Sequence, residues 1–600
     1  MVTGATVWRV AQPCPPPDTL GIVTSTHGAK PTARSRVPGL VRFVPIAGWL
    51  PAYRWSMFPA DAIAGATIWG LLIPEMIAYA SLAGLPPQAG LYTLLASLGL
   101  YAIFGTSRQL VVAGTSASAI LVYSGVTALG PHDAHHFAVA ASGLIIITGV
   151  IFVVAGLLKL GFITAFLSRP VMEGFVFGLA IFVTVSQLPK LFGLEKGEGD
   201  TIRQFAHLIA NLGDTSVVTL AVGAASLVLL FGLERYVPRL PGGLVVLVAG
   251  IAISAAANLS GHGVATVGKI PSGLPSVVTE HVTVSELWVL LPSAVGMMLV
   301  IFSEALGAGQ TFADKHGYRL DSSQEMIALG LSNIGSGFLG GLACGGSLSQ
   351  TAVNDGAGAR SELSSVVAAV LSLITVIALT PLFKDLPEAV LAALIIHAVS
   401  HLMKVGEMRR FYRLVPREFW LGILTLAGVI VLDVLPGLII GVVSSILLVV
   451  YRDSRLPISV LGADPAAPGA YIDLHRHPEA QLIPRALVLR PEGTVYYVNA
   501  QSIEDTIESL LLSSPEGVRA VILDLDANEE LDITSSETLA KLLYDLRERH
   551  IRVGFAHLHA PALDMARRAD VFDDHDTIPI FETMTAAVTW ATSADPDQAG

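Results

Sequence analysis

Between Gly345 and Gly356 the chain reads GGSLSQTAVNDG, placing Ser347, Ser349, Gln350, Thr351, Asn354 and Asp355 together between long apolar runs. Side chains of this kind can bind a polar solute, cap a helix, or simply let helices approach closely. A second cluster, AGTSASA at 113–119, contains Thr115, Ser116 and Ser118. Two carboxylates accompany the clusters, Glu75 in LLIPEMIAYA and Glu304 in VIFSEALGAG. An ionisable side chain surrounded by lipid is costly, so its default reading is functional. Such a group can take up a proton, hold Na⁺, or close a hydrogen bond to a helix end. Asp355, two helical turns past the hydroxyls, reads either as a gate or as a polar group at the inner end of its helix.

The elements that must hold these residues are set by composition. Of 600 residues, 52% are hydrophobic and 14% charged, with mean hydropathy +0.64. Soluble domains carry about 25% charged residues, so the deficit identifies a polytopic membrane protein. Apolar stretches of about 20 residues, enough to cross a ~30 Å hydrocarbon layer, recur from Asp61 to Val450. About fourteen spans can be counted, near 61–81, 87–104, 114–128, 137–158, 170–188, 215–233, 242–258, 288–311, 324–340, 348–361, 364–382, 388–403, 418–434 and 436–451. With the N-terminal arm inside, the inner connections hold about fifteen Lys and Arg against about five outside, which favours an even count. The inner set includes Arg108, Lys159, Arg169, Arg235, Arg239 and a basic loop with Lys404, Arg409, Arg410, Arg413 and Arg417.

The spans divide into two sets of seven. The first helix of each carries a lone acid, Glu75 or Glu304, and the third opens on glycine and hydroxyls. Seven is odd, so the second set enters the membrane from the opposite side and the repeat is inverted. In such transporters substrate sites lie at the repeat interface, near the midplane. Lipid offers no water to free backbone groups, so irregular chain at that depth survives only inside protein or beside a cavity. Gly345 and Gly346 permit a close, extended approach, and Ser347 or Ser349 can cap a helix starting there. Gly114, Thr115 and Ser116 can do the same in the first set. Two half-helices aiming their N-termini inward attract an anion without any basic side chain. The alternative is close packing by small residues; the matched positions of the two clusters favour ion binding.

Other motifs exclude more than they suggest. The net charge of −12 is concentrated in the last 140 residues, and no basic stripe interleaved with aromatics supports nucleic-acid binding. Two cysteines, Cys14 and Cys344, make neither a disulfide framework nor a cysteine-rich zinc site. His397 and His401 in HAVSH have a spacing that can clasp zinc, but the glutamate of H-E-x-x-H is absent, so a metalloprotease is not expected. No metal site is predicted, apart from Na⁺ near Glu304, and no cofactor beyond H⁺ or Na⁺ as a coupling ion. PHDAHH at 131–136 reads as a solvated outer loop.

After Arg455 the pattern changes. Strand-like ALVLRPEGTVYYVNA, RAVILDLDAN and IRVGFAHL alternate with helical SIEDTIESLLLS, SETLAKLLYDLRERH and PALDMARRA, which reads as a small α/β domain. In DITSSE, Thr534 and Glu537 have capping-box spacing for the helix that follows. The expected organisation is a loose N-terminal arm over 1–56, a transmembrane domain over 57–455, a linker over 456–470 and an α/β domain over 471–595.

IPEMIAYASLAGLPPQAGLY, GYRLDSSQEMIALGLSNIGSGFLGG running into GGSLSQTAVNDGAGARS, and LPEAVLAALIIHAV resemble the SulP sulfate-permease family, relatives of pendrin and prestin. The resemblance covers roughly residues 57 to 590 and implies a uracil-permease-like fold of fourteen spans in two inverted sevens, with a core moving against a gate. It implies that Ala113, Gly114, Thr115, Ser116 and Ser118, with Gly346, Ser347, Leu348, Ser349, Gln350 and Thr351, face the anion. The chain end resembles a STAS domain, which implies a cytoplasmic location, a homodimer and a cytoplasmic protein partner. Two departures bear on mechanism. Many members place Arg directly after the serine that is Ser349 here, where this chain has Gln350, which favours cation-coupled symport over exchange. The phosphorylatable serine of STAS anti-sigma antagonists follows an aspartate, whereas Ile533 follows Asp532; Thr534 and Ser535 remain as acceptors.

The expected protein is therefore a secondary active transporter in the plasma (inner) membrane, not an enzyme, with its N-terminal arm and STAS domain in the cytoplasm. It carries an inorganic anion, sulfate first and bicarbonate or a dicarboxylate next, by elevator-like alternating access, with Glu75, Glu304 and Asp355 serving coupling or gating. The rivals are an anion exchanger, a nucleobase permease on the same fold, and a membrane-anchored signalling protein acting through its STAS domain. A nucleobase permease would place a carboxylate among the half-helix groups, where this chain offers Ser, Thr and Gln.

Overall fold

The structure, a computed structural model, describes residues 43–593 apart from 52, 162–167, 198–200, 238–240, 272, 281, 514–516, 570 and 572–577. Most of the expected arm (1–42, with Cys14), Arg239 of the basic inner set, and 594–595 lie outside the described residues. The described remainder of the arm touches the membrane domain. A helical turn, Ile46–Trp49, precedes the first span, Gln324 Nε2 donates to the Phe43 carbonyl at 3.2 Å, and the Tyr53 hydroxyl donates to Asp61 at 3.0 Å.

Two successive series of helices follow the same order. The first comprises α1 (Phe58–Leu82), α2 (Pro87–Phe104), strand β1 (Val112–Gly114) with α3 (Ser116–Thr127), α4 (Ala134–Leu157), α5 (Arg169–Phe192), α6 (Thr201–Ala210), α7 (Val217–Tyr236) and α8 (Gly242–Ala257). The second comprises α9 (Val284–His316), α10 (Ser322–Phe338), strand β2 (Cys344–Gly346) with α11 (Leu348–Gly356), α12 (Leu363–Ile374), α13 (Glu388–Ser400), α14 (Val405–Leu414), α15 (Pro416–Leu432) and α16 (Val434–Asp453). Each element has its counterpart eight helices later, including the short strand before the third helix. Nine described helices are long and apolar enough to cross a membrane; α3, α8, α10, α11 and α15 are shorter and fill the other expected positions. Large side chains open to the outside of the bundle, such as Val217, Val228 and Trp288, suit a lipid solvent.

The expected basic loop at 404–417 is mostly helical. α14 carries Arg409, Arg410 and Arg413 on a short amphipathic helix, the counterpart of α6. The expected span at 348–361 ends early, at Gly356.

Packing separates the helices into two bundles. α1–α4 and α9–α12, the first four of each series, pack on one another; α5, α7, α8, α13, α15 and α16 form the second bundle. They meet where α1 lies against α8 and α13, and α3 against α16. Lys190 on α5 crosses this boundary, donating to the Ser81 hydroxyl at 2.7 Å and lying 3.2 Å from Glu388.

The C-terminal domain is a six-stranded sheet in the order β4-β3-β5-β6-β7-β8. Its strands are β3 (Ile458–Ala463), β4 (Tyr471–Asp473), β5 (Ala486–Pro491), β6 (Ala520–Asp524), β7 (Arg552–Ala556) and β8 (Ile580–Phe581). The stretch expected as a linker thus contains β3, which pairs antiparallel with β5 from Ile458 opposite Pro491 to Leu461 opposite Val488. The strand expected to run to 500 stops at Pro491. Beyond it, side chains capture the backbone: Asn528 accepts the Val495 N–H, Asn499 that of Tyr496, and Asp532 that of Tyr497. Helices α17 (Ala500–Ser513), α18 (Ile533–Glu548), α19 (Ala560–Arg568) and α20 (Met584–Thr592) complete the domain.

The capping box of α18 is shifted from the expected Thr534 and Glu537 to Asp532 and Ser535. A carboxylate is a strong cap, and this one also accepts the Tyr497 N–H at 2.7 Å. Burial opposes the charge of Asp532, but the N–H groups of Ser535 and Tyr497 outweigh it and hold the carboxyl below its usual range. Its folded pKa being lowered, its stabilisation is present above the ordinary aspartate value of about 4 and is lost as pH falls through the folded value. Asp532→Ala should destabilise α18 by roughly 1–2 kcal/mol, read as faster amide hydrogen exchange in 533–538 of the full-length protein. Unchanged exchange there would refute the capping role.

Candidate anion site

The two broken spans meet at the repeat interface. β1 and β2 pair antiparallel, Val112 opposite Gly346, Ala113 opposite Gly345 and Gly114 opposite Cys344. α3 leaves one end of this pair and α11 the other. The helices have 12 and 9 residues, roughly 18 and 14 Å, about half of a ~30 Å hydrocarbon layer. Both sets of chain ends therefore fall at depth, where the strand pair satisfies backbone groups that lipid cannot.

Each helix is capped from within its own cluster. Thr115 Oγ1 accepts the Ser118 N–H at 3.1 Å, and Ser347 Oγ accepts that of Gln350 at 3.4 Å. The N–H groups of Ser116, Ala117, Leu348 and Ser349 have no protein acceptor among the described residues. Amides of this kind, at the positive ends of helix dipoles, are groups that can attract an anion.

The structure gives the expected binding residues different places. Ser347, Leu348 and Ser349 lie at least partly open, with the Ser347 and Ser349 hydroxyls 3.0 Å apart. Thr115 and Ser116 flank the first-series amides and are largely buried. Ala113, Gly114 and Gly346 belong to the strand pair. At Gly346 any Cβ would come within 2.9 Å of the Ala305 backbone on α9, so only glycine fits there. Ser118 and Thr351, expected to face the anion, instead join the broken segments. Ser118 Oγ donates to the Ala343 carbonyl at 2.8 Å; Thr351 Oγ1 accepts the Val111 N–H at 3.1 Å and donates to the Ser347 carbonyl at 2.6 Å.

Sequence reading missed the residues that hold β2. Asn333 on α10 brackets Cys344, accepting its N–H at 3.0 Å and donating to its carbonyl at 2.9 Å. Thr93 accepts the Leu342 N–H, and Ser336 donates to the Leu342 carbonyl. Asn354, already part of the first cluster, ties α11 to the stretch before β1, its Nδ2 donating to the Gln109 carbonyl at 3.0 Å. A polar residue in the middle of an apolar helix was the available signal, and SNIGSG at 332–337 carries it.

The carboxylates occupy different places. Gln350 Nε2 donates to Glu75 at 2.8 Å and lies 3.5 Å from the Gly114 carbonyl. One carboxamide thereby joins α1, β1 and α11, and its own oxygen is buried with no partner among the described residues. Glu304, one residue before Ala305, is half-buried and makes no hydrogen bond to a described residue. Asp355 is apart from both, tied to Lys315 and His316 at 2.6 Å each. It borders a cleft of about 430 Å³ that also involves Arg108, Gln109 and Arg360, so its surroundings are the basic end of the first bundle rather than the half-helix amides. In the expected outer loop, Asp133 caps α4, and His135 and His136 each pair with a glutamate, Glu280 and Glu286, at 2.8 Å.

Residues 58–425 match the sulfate permease family and 477–587 the STAS domain. A probable sulfate transporter of Mycobacterium tuberculosis is 32% identical over 553 residues, covering 90% of this chain and 98% of its own. Human solute carrier family 26 member 6 is 32% identical over 78% of this chain and 65% of its own. In structure, the murine solute carrier 26 family member A9 anion transporter, in its inward-facing state, superposes with TM-score 0.85 at 24% identity, over 94% of this chain and 96% of that one. The transmembrane domain of the cyanobacterial bicarbonate transporter BicA gives 0.58 at 24% identity, over 65% and 98%. With both domains matched in order along one polytopic chain, the protein belongs to the sulfate permease family of membrane transporters and carries a STAS domain after its membrane part.

Proposed function

We propose that this chain is a secondary active transporter of an inorganic anion, sulfate first and bicarbonate or a dicarboxylate next, driven by H⁺ or Na⁺. The observation that carries this reading is the four acceptor-free amides at the starts of α3 and α11. An anion leaving water needs its hydration replaced, and fixed backbone donors supply that without the electrostatic trap of a buried cation. The two-bundle packing supports elevator-like alternating access, with α1–α4 and α9–α12 carrying the anion against the second bundle.

Coupling follows from the placement of Glu75. A carboxylate and an anion sharing one low-dielectric cavity repel strongly. Loading a proton or Na⁺ at the carboxylate removes that repulsion, so anion and cation occupy the site together. The missing arginine after Ser349 works in the same direction, because no fixed positive side chain offsets Glu75. The proposal places the protein in the plasma (inner) membrane, with its N-terminal arm and STAS domain in the cytoplasm, as a homodimer with a cytoplasmic partner at the STAS domain.

A competition panel tests substrate class. Labelled sulfate uptake into proteoliposomes should be reduced at least about tenfold by excess unlabelled sulfate and little by uracil, with bicarbonate, fumarate and chloride setting the order. Inhibition by uracil stronger than by every anion would overturn the anion assignment and favour a nucleobase permease.

A further inference from the structure

We propose that Glu234, His397 and His401 form a zinc site joining α7 to α13 at the membrane face from which the STAS domain emerges. His397, in the last turn of α13, and His401, the residue that caps its C-terminus in helical conformation, are one turn apart, so their rings project from the same side. Glu234 arrives from the end of α7. Its Oε2 lies 2.9 Å from His397 Nε2 and 3.4 Å from His401 Nε2, and the three ligand atoms all fall within 4.8 Å of one another. Tetrahedral zinc with bonds of 2.0–2.1 Å sets its ligand atoms about 3.3 Å apart, close to the two carboxylate–imidazole separations. Small rotations of the histidine rings close the remaining distance.

The donor set suits the metal. Two neutral imidazoles and a carboxylate form a borderline-soft N₂O set that zinc takes readily, and a water completes four-coordination. The Phe231 ring lies edge-on to His397 with centroids 4.8 Å apart, which restricts that imidazole on its inner side. Glu234 and His401 are each about half exposed, at 48% and 50%, leaving a route for the ion and room for the water. Chain direction fixes the face: two spans, α15 and α16, separate the end of α13 from the start of the STAS domain. Both α7 and α13 belong to the second bundle, so the ion braces that bundle internally and adds no tie across the boundary where the bundles meet.

The alternative is a simple hydrogen-bonded tie between Glu234 and the two histidines, and metal binding distinguishes the two. Full-length protein in detergent should bind one Zn²⁺ per chain by calorimetric titration, and Zn²⁺ should raise its Tm. Co²⁺ in place of zinc should give the visible absorption of a four-coordinate site. In His401→Gln, a half-exposed position where exchange costs little stability, and in Glu234→Gln, affinity should fall at least about a hundredfold, since losing even an outer partner of a ligand costs about 10- to 100-fold. Zinc binding of equal stoichiometry and affinity in wild type and both variants would overturn the site. So would binding that survives His401→Gln but disappears with His135→Gln, since that assigns the ion to the loop on the other face.

Discussion

Ser349→Leu should reduce anion uptake to about a hundredth of the wild-type rate or less, while gel-filtration profile and Tm stay as in wild type. Ser349 is exposed, and its hydroxyl is 3.0 Å from that of Ser347 at the start of α11. A leucine there needs no repacking, and exposed substitutions usually move stability by less than about 0.5 kcal/mol. Its effect falls on the solute instead. The branched side chain covers the free N–H groups of Leu348 and Ser349 with hydrocarbon, so an anion gives up water without finding donors. Loss of one preorganised donor to a developing charge in enzymes costs about 10²–10³ in rate, and two are shielded here. Uptake near the wild-type rate would show that the hydroxyl cluster serves packing alone and would remove the anion site.

Glu75→Gln should uncouple transport from the driving gradient. The substitution keeps shape and hydrogen bonding, since a glutamine oxygen can still accept from Gln350 Nε2, now 2.8 Å from the carboxylate. What it removes is the capacity to exchange a proton or hold Na⁺. Uptake against a concentration gradient should disappear, and downhill flux should lose its response to an imposed pH or Na⁺ gradient. Gln350→Arg is the complementary change: a fixed cation beside Glu75 should shift the charge moved per anion by about one, seen as a displaced reversal potential. Glu304→Gln is the control that locates the function, because Glu304 is half-buried but makes no hydrogen bond to either half-helix. If gradient dependence survives Glu75→Gln and is lost in Glu304→Gln, coupling resides on α9; if it survives both, neither acid couples.

The sequence carried a good deal of this. Apolar run length is dictated by the thickness of lipid, so the long spans could be located without knowing any contact. The matched positions of AGTSASA and GGSLSQTA, each in the third span of its set, located both half-helices and their caps, because capping depends on residues only two or three positions apart. Limits appeared where an effect depended on distant chain. Thr534 with Glu537 satisfied the spacing of a capping box, yet the helix starts two residues earlier with Asp532 as its cap, a carboxylate that Tyr497, far away in sequence, also donates to. Residues 456–470 looked like a linker because the pairing of β3 with β5 cannot be read from β3 alone.

Composition and periodicity by themselves determined a membrane protein with two related halves and two broken spans opening on hydroxyls, since hydration and local backbone geometry act residue by residue. Only the tertiary structure decided which of those hydroxyls remain available. Across the repeat interface Ser118 is committed to the Ala343 carbonyl and Thr351 to the Val111 N–H, Gln350 reaches Glu75 on α1, and Glu234 meets the HAVSH histidines from α7. A side chain's chemistry is settled by which donors and acceptors come within about 3 Å of it, and in a fold that interleaves two halves of one chain, those partners lie hundreds of residues away.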